Sequence, residues 1–425
     1  MHRREAAGRR GAAVLVALLL AGAVSGQPAG AQTAAPRPKD DPSVIREWVQ
    51  KVSATVDPED ELTAPEEAVW HAYVTVAMYN AVVGIEGRYA PYRWRARAPH
   101  GASAQAAAAT AAYQVLLTGF PKAGPALEKA WKASLANVPD GPAERSGVAF
   151  GKRAAKHIMT LRANDGRDAS VPFTPRPAPG VWRPTPPDHE GFTTAWIGRL
   201  RPFLMDTPSR FRPGPPPGLT SARYARDLAE VKAYGARTGS RRSARQTETA
   251  VFVARVEIQQ ALGDHAARHS FDITDTARLY AATNTVMTDA LIAAWDAKLH
   301  YARWRPITAI READTDGNPA TRADPTWEPL LPTPAHPDYL SGHATWSGAL
   351  MRTLEGLFGT SRVDLNISSV GTAATRHYEY AEDYNRDVID ARVWAGIHTR
   401  TADVVGNAVG ERVAAWSLRR YFLHA

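Results

Sequence analysis

Three short segments in the second half of the chain carry residue types that can hold an anion and move protons. The first is Lys298-Leu-His-Tyr-Ala-Arg-Trp-Arg305-Pro306. Seven residues are almost two helical turns, so the spacing predicts Lys298 and Arg305 on one helix face, with Pro306 restricting the chain just after. Two such cations repel unless an anion lies between them; a solvated pair of surface charges is the other way to carry them. The second segment is His336-Pro337-Asp338-Tyr339-Leu340-Ser341-Gly342-His343. Ser341 and Gly342 sit where a helix should begin, and a helix N-terminus offers free N–H groups that a glycine lets an oxyanion approach closely. His343 beside it can give or take a proton near neutral pH. Taken alone, Ser-Gly-His also fits a helix cap followed by a buried histidine.

The third segment holds Arg392, Gly396, His398 and Asp403. Arg392 and His398, six apart, face different ways on an unbroken helix, and Gly396 supplies a break that lets both turn to one site. Asp403 is placed to orient the His398 imidazole through its other ring nitrogen. The three segments together offer three cations, a hydroxyl, a helix N-terminus and two histidines. That set suits a tetrahedral oxyanion with one axial nitrogen and one acid–base partner.

The order Lys-x6-Arg-Pro, Ser-Gly-His, Arg-x5-His resembles the signature shared by vanadium-dependent haloperoxidases and type 2 phosphatidic acid phosphatase-like enzymes. The words Trp304-Arg305-Pro306-Ile307-Thr308-Ala309-Ile310-Arg311 and Ala395-Gly396-Ile397-His398 look like the bacterial haloperoxidase branch. The likeness is clearest from about Asp275 to Tyr421, with fainter echoes at Tyr79-Asn80-Ala81-Val82 and Tyr89-Ala-Pro-Tyr92. It implies vanadate as cofactor and His398 as its metal ligand. Lys298, Arg305, Arg392, Ser341 and Gly342 would bind the cofactor oxygens, and His343 would be the acid–base residue. Catalysis would then fall to His343, His398 and Lys298. The implied reaction takes hydrogen peroxide and a halide, bromide first and chloride second, to a hypohalous acid equivalent that can halogenate a small organic acceptor. A homodimer is the implied assembly. The alternatives are a secreted acid phosphatase that binds phosphate in the same pocket and forms a phosphohistidine at His398, and an inactive helical oxyanion-binding or scaffold protein.

Three positions depart from the family pattern. Leu340 stands where Pro is usual, Ala391 replaces a frequent Ser, and Asp403 lies one residue further from His398 than in the phosphatases. Two positions bear on the halide. His336 matches bromide-oxidising members, or is a hydrogen-bonded loop histidine, whereas Trp295 matches the chloride type.

The elements that must position these groups read as all-α, two packed helical bundles with the site in the C-terminal one. Arg3, Arg4, Arg9 and Arg10, an apolar run from Gly11 to Val24 and the small residues Ala29-Gly30-Ala31 predict a signal peptide over residues 1–31, hence a secreted or periplasmic protein. No later stretch reads as a membrane span, so stable membrane insertion is not expected. An N-terminal helical half follows over 32–170, opened by the capping pattern Thr63-Ala-Pro-Glu66 with Trp70, Tyr73 and Tyr79 as core. Further helices are expected over 102–118, 126–136 and 142–161. Thirteen of the 32 prolines fall between 171 and 220, a connector without long helices. The C-terminal half, 221–425, should hold helices over 221–234, 243–262, 275–304, 341–358, 376–394 and 401–421.

Composition closes off other classes. With no cysteine, disulfides, iron–sulfur clusters and thiol catalysis are excluded. The net charge of +8 is dispersed Arg rather than a basic stripe, so an anionic cofactor explains it better than nucleic acid. Arg241-Arg242 reads as a solvated loop and Asp314-Thr-Asp316-Gly-Asn318 as a turn rather than a calcium loop, whose later Glu is missing.

Overall fold

The computed structural model describes residues 40–56 and 63–425; the signal-peptide segment lies outside them. The chain forms α1 (Ser43–Val56), α2 (Ala64–Glu86), α3 (Ala104–Gly119), α4 (Gly124–Leu135) and α5 (Pro142–Leu161). After the proline-rich connector come α6 (Ala222–Tyr234), α7 (Ala244–Ala254), α8 (Ile258–Arg268), α9 (Ile273–Tyr301) and α10 (Pro306–Arg311). The last part holds α11 (Gly342–Phe358), a hairpin of β1 (Arg362–Ser368) and β2 (Thr375–Tyr380), then α12 (Ala381–Trp394) and α13 (Arg400–Leu418). Residues Asp40–Ala425 pack as one compact unit.

Local signals explain most boundaries. At the start of α2 the Glu66 carboxylate accepts from the Thr63 N–H at 2.9 Å, and the helix stops at Gly87 with φ +77°. Asp272 caps α9 by accepting from the Thr274 and Asp275 N–H groups at 3.0 and 2.9 Å. Nearly every residue of α9 from Ile273 to Lys298 is buried, because α2, α11 and α13 all pack on it. Thr283, Thr285 and Thr288 bond back to the preceding turn, as Thr285 Oγ1 does to Ala281 O at 2.6 Å, so these hydroxyls enter the core without losing partners.

α11 and α13 form the most extensive helix pair. They cross where Gly348 and Gly410 lie: a Cβ at Gly410 would stand 1.9 Å from the Thr345 carbonyl. This close approach brings the start of α13 against the start of α11, and the Ser341 N–H donates to Ala402 O at 3.1 Å. The second and third sequence motifs therefore meet.

Several expectations need correction. The helix expected over 243–262 is two, α7 and α8, broken at Arg255–Glu257, where the Glu257 N–H donates to Ser368 O and Arg255 O accepts from the Val370 N–H of the hairpin. The helix expected over 376–394 begins only at Ala381; its first residues form β2, because Leu365 and Tyr378 pair across the hairpin and bury their side chains. α9 ends at Tyr301, with Ala302 in the left-handed region, so Lys298 and Arg305 do not share a helix face. α2 is long and apolar enough to cross a membrane by length and composition, but its apolar stretch is buried against its neighbours. Arg242 is not a free loop charge: it donates to Ala236 O and Trp394 O at 3.1 Å each, tying α6 to the end of α12.

Other readings hold. Tyr73 and Tyr79 are core residues, and the 171–220 stretch has only short 3₁₀ turns while burying Trp182, Trp196 and Phe203. Asp314–Asn318 is a turn in which Asp316 accepts from the Asn318 N–H at 2.7 Å.

Candidate functional site

Each motif enters the site from an element end. Lys298 lies in the last turn of α9 and Arg305 caps α10, with the chain reversing between them at Ala302. Ser341 caps α11, its hydroxyl accepting from the Ala344 N–H at 3.4 Å, and Gly342 starts the helix. Arg392 ends α12, and Gly396 breaks the helix with φ +80°. A Cβ there would also stand 2.4 Å from Gly235 O, so both conformation and space require glycine. The turn leaves His398 just ahead of α13.

Lys298, Arg305, Ser341, Arg392 and His398 are all buried, which rules out solvated surface charges. Arg305 spans the floor. Its Nε donates to His336 O at 2.6 Å, one terminal nitrogen to Ile397 O at 2.6 Å, and the other to Pro334 O at 3.2 Å. The Lys298 ammonium donates to Pro337 O and, at 3.3 Å, to Asp338 O.

His398 is held from both sides. Its Nδ1 meets Asp338 Oδ1 at 2.7 Å, so this nitrogen carries the proton that a carboxylate can accept. Asp338 is fixed in turn by the Thr399 hydroxyl at 2.7 Å and the Thr399 N–H at 3.4 Å. The lone pair on Nε2 then faces the cations, where Arg305 donates to it at 3.0 Å. The orienting role expected of Asp403 thus belongs to Asp338. Asp403 is fully buried and lies near Ser341 and Arg392, but neither of its oxygens has a hydrogen-bond partner, and neither bonds the His398 ring. Asp338 was legible as a carboxylate within the second motif, yet only the fold shows that it meets the third.

The charge balance points one way. Burial pushes Arg305 down to about 9 and Arg392 down to about 10. Lys298 falls well below its usual range through burial and then Arg305. Burial followed by Arg392 drives His343 down to about 3, with Arg305 and Lys298 adding to it. His336 and His398 fall for the same reasons: burial, then the neighbouring cations. Burial raises both Asp338 and Asp403. The pocket therefore holds more positive charge than its carboxylates offset. The Nε–H of Arg392 is buried with no acceptor. A buried guanidinium with an unpaired Nε–H, an imidazole Nε2 facing the cations and a helix N-terminus together form the donor set that a tetrahedral oxyanion such as vanadate completes.

The two residues expected to bear on the halide, Trp295 and His336, also come together. The Trp295 and His336 rings are 4.9 Å apart, Trp295 Nε1 bonds Thr194 Oγ1 at 3.1 Å, and the Lys298 ammonium lies 5.4 Å from the Trp295 ring centre. A Cβ on Gly342 would stand 3.0 Å from the Trp295 ring, so this indole roofs the glycine that an oxyanion would approach. His336 Nδ1 is 3.1 Å from an Arg305 nitrogen, an interaction absent from the sequence reading.

Known proteins share this fold and part of this sequence. Residues 278–424 match the family model "VCPO second helical-bundle domain". The chain is 27% identical over 195 residues to the vanadium chloroperoxidase of Curvularia inaequalis, covering 35% of this chain and 31% of that protein. It thus spans about a third of that relative's length. A bacterial vanadium-dependent iodoperoxidase superposes with TM-score 0.76 at 22% identity, covering 92% of this chain and 98% of that one. A holo bacterial vanadium-dependent chloroperoxidase superposes with TM-score 0.70 at 20% identity, covering 91% and 98%. The matched segment contains all three motifs, so it is this part of the chain that is similar to the second helical-bundle domain described by the family model.

Proposed function

We propose that this protein is a vanadium-dependent haloperoxidase that oxidises a halide with hydrogen peroxide. The observation that carries the reading is His398: Asp338 fixes the proton on Nδ1 at 2.7 Å, and Nε2 turns its lone pair into a pocket of three buried cations. Lys298, Arg305, Arg392, the Ser341 hydroxyl and the N-terminus of α11 would hold vanadate, with His398 Nε2 as its protein ligand. Bound there, vanadate supplies a Lewis-acidic centre that makes peroxide oxygen electrophilic towards halide.

The chain's own residues do the rest. The three cations neutralise the oxyanion in a site from which water is largely excluded, where each charge counts for more than in solvent. His343, partly exposed at the pocket rim, takes a proton from entering peroxide at a ring nitrogen and can return it to product. Burial depresses His343 most and the cations add to it; an anion among them offsets that second contribution and moves the imidazole back towards the range in which it can exchange protons. Trp295 and His336, whose rings lie 4.9 Å apart, are the residues we assign to halide choice. Bromide is the preferred halide in this reading and chloride the second. We also propose export through the N-terminal segment and action as a homodimer on freely diffusing halide and peroxide.

The test is a halogenation assay on phosphate-free protein with peroxide and iodide, bromide or chloride, with and without orthovanadate. Activity that needs vanadate and vanishes in His398→Ala supports the proposal. Phosphate release from an aryl phosphate, inhibited by vanadate and without halogenation, would move the protein to phosphatase chemistry.

A further inference from the structure

A second cluster of ligand-type side chains lies outside the oxyanion pocket, where the β1–β2 hairpin meets the end of α8. His265 sits in the last turn of α8 and His269 just beyond it, four residues apart and so on one face. Asp364 of β1 completes the group: one ligand atom from each of the three lies within 4.8 Å of the others. His377, from β2, brings its Nε2 to 3.8 Å from Asp364 Oδ1.

Three features set this cluster apart from a chance surface ion pair. The first is backbone conformation. Asp364 has φ +47° where the hairpin register is irregular between Arg362 and Leu365. A non-glycine residue adopts that region at a cost, and bulges of this kind re-aim a side chain. Here the carboxylate is aimed at the two histidines. The second feature is His377, whose Nδ1 lies 2.9 Å from the Asn366 side-chain oxygen. That contact orients the ring so that its Nε2 points towards the Asp364 carboxylate, 3.8 Å from Oδ1. The third is depth. His265 is buried, its ring stacked on Phe358 with centroids 4.6 Å apart, whereas His269 and His377 remain exposed enough for entry.

We propose that His265, His269 and Asp364, with His377 as the fourth donor, form a divalent transition-metal site that staples the hairpin to α8. Imidazole and carboxylate donors suit zinc and its first-row neighbours. Tetrahedral zinc at about 2.0–2.2 Å from each donor needs ligand atoms roughly 3.4 Å apart. The cluster must therefore contract, and the exposed rings of His269 and His377 can rotate to allow it. Arg268 is a nearby cation: its guanidinium donates to Asp364 O at 2.7 Å and stands 3.8 Å from Oδ2. It holds the main chain of Asp364 and leaves the carboxylate oxygens, with His269 Nε2 3.0 Å from Oδ2, free to change partner. The hairpin leads directly into α12, which ends in Arg392, so the staple would brace a segment that reaches the oxyanion pocket without touching it.

The experiment is a calorimetric titration of zinc chloride into the chelator-stripped full chain, with thermal unfolding measured in parallel. One equivalent should bind and raise the unfolding temperature. The double variant His269→Ala/His377→Ala and the single variant Asp364→Asn should each bind at least about tenfold more weakly and lose the thermal shift. The oxyanion pocket contains three further histidines, so His343→Ala is the companion: it should keep the one-equivalent isotherm. An unchanged isotherm in the double variant, or loss of binding in His343→Ala alone, would overturn the site. So would the absence of zinc binding. None of these readouts needs halogenation, so the pocket's function and this site stand or fall separately.

Discussion

Two sets of buried polar groups in this molecule follow opposite rules. Where the proline-rich connector crosses the helices, Arg162, Asp165 and Asp289 each find several partners. Arg162 donates to Asp165 at 2.9 Å and to the carbonyls of Arg201 and Pro202 at 2.5 and 3.1 Å, and Asp165 is bonded by the Tyr73 hydroxyl. Asp289 accepts three backbone N–H groups, from Phe203, Leu204 and Met205, at 2.6–2.8 Å. In the oxyanion pocket, Arg392 Nε and both Asp403 oxygens lack partners, and three buried cations outweigh the nearby carboxylates. Saturated polar groups order a segment that cannot form helix, because proline removes its backbone donors. An excess of buried cations, one of them with an unpaired N–H, makes a site that an anion completes.

The contrast can be broken at either end. The largest effect is expected from His398→Ala, which should reduce vanadate-dependent halogenation to background while leaving the urea midpoint unchanged. Next, Arg162→Ala removes one partner of a buried pair and should destabilise the protein by about 3–5 kcal/mol in urea unfolding. Arg392→Ala should not, because it deletes a cation that has no complete set of partners. It should instead weaken orthovanadate binding by about 10–100-fold, the loss of one hydrogen bond to a charged group. Equal destabilisation by the two arginine variants would erase the distinction drawn above.

Asp338→Asn sharpens the comparison further. The amide can no longer hold the Nδ1 proton as a carboxylate does, and orthovanadate affinity should fall about 10–100-fold with the fold intact. Asp403→Asn, which removes no bond to His398, should have the smaller effect of the two, measured in the same titration. The smallest change is expected at Asp289, whose carboxyl burial raises to about 6 against its three backbone donors. Asp289→Asn replaces an acceptor by a donor and should cost about 1–3 kcal/mol. A folded-state value above the unfolded one means that the proton stabilises the fold. That contribution is complete below about pH 4 and is lost as pH rises through about 6. The stability gap between wild type and variant, followed by urea unfolding across that range, should therefore narrow with rising pH.

The site was more legible than its scaffolding. Lys298, Arg305, Ser341, Gly342, His343, Arg392 and His398 could be named because their chemistry is carried by residue type and short spacing. Gly396 could be read as a break because few other residues take up a positive φ. The expectation that Lys298 and Arg305 share a helix face came from treating spacing as helical through Trp304, when Ala302 turns the chain in the left-handed region. Helical periodicity likewise ran through 376–380, where pairing with β1 overrode it.

Sequence by itself determined the all-helical character, the proline-rich interruption, the absence of thiol chemistry and the donor set of an oxyanion pocket. These follow from local propensity, composition and side-chain chemistry, which need no neighbours. Tertiary structure alone decided which carboxylate holds His398, which cation is left without a partner, and that His265, His269, Asp364 and His377 lie together. Asp338 and His398 are 60 residues apart, and Asp364 lies 95 residues from His269. Nothing in the spacing along the chain encodes such a meeting: the packing of α11 on α13 and the bulge in β1 do, because they fix where two distant segments end and which way their side chains face.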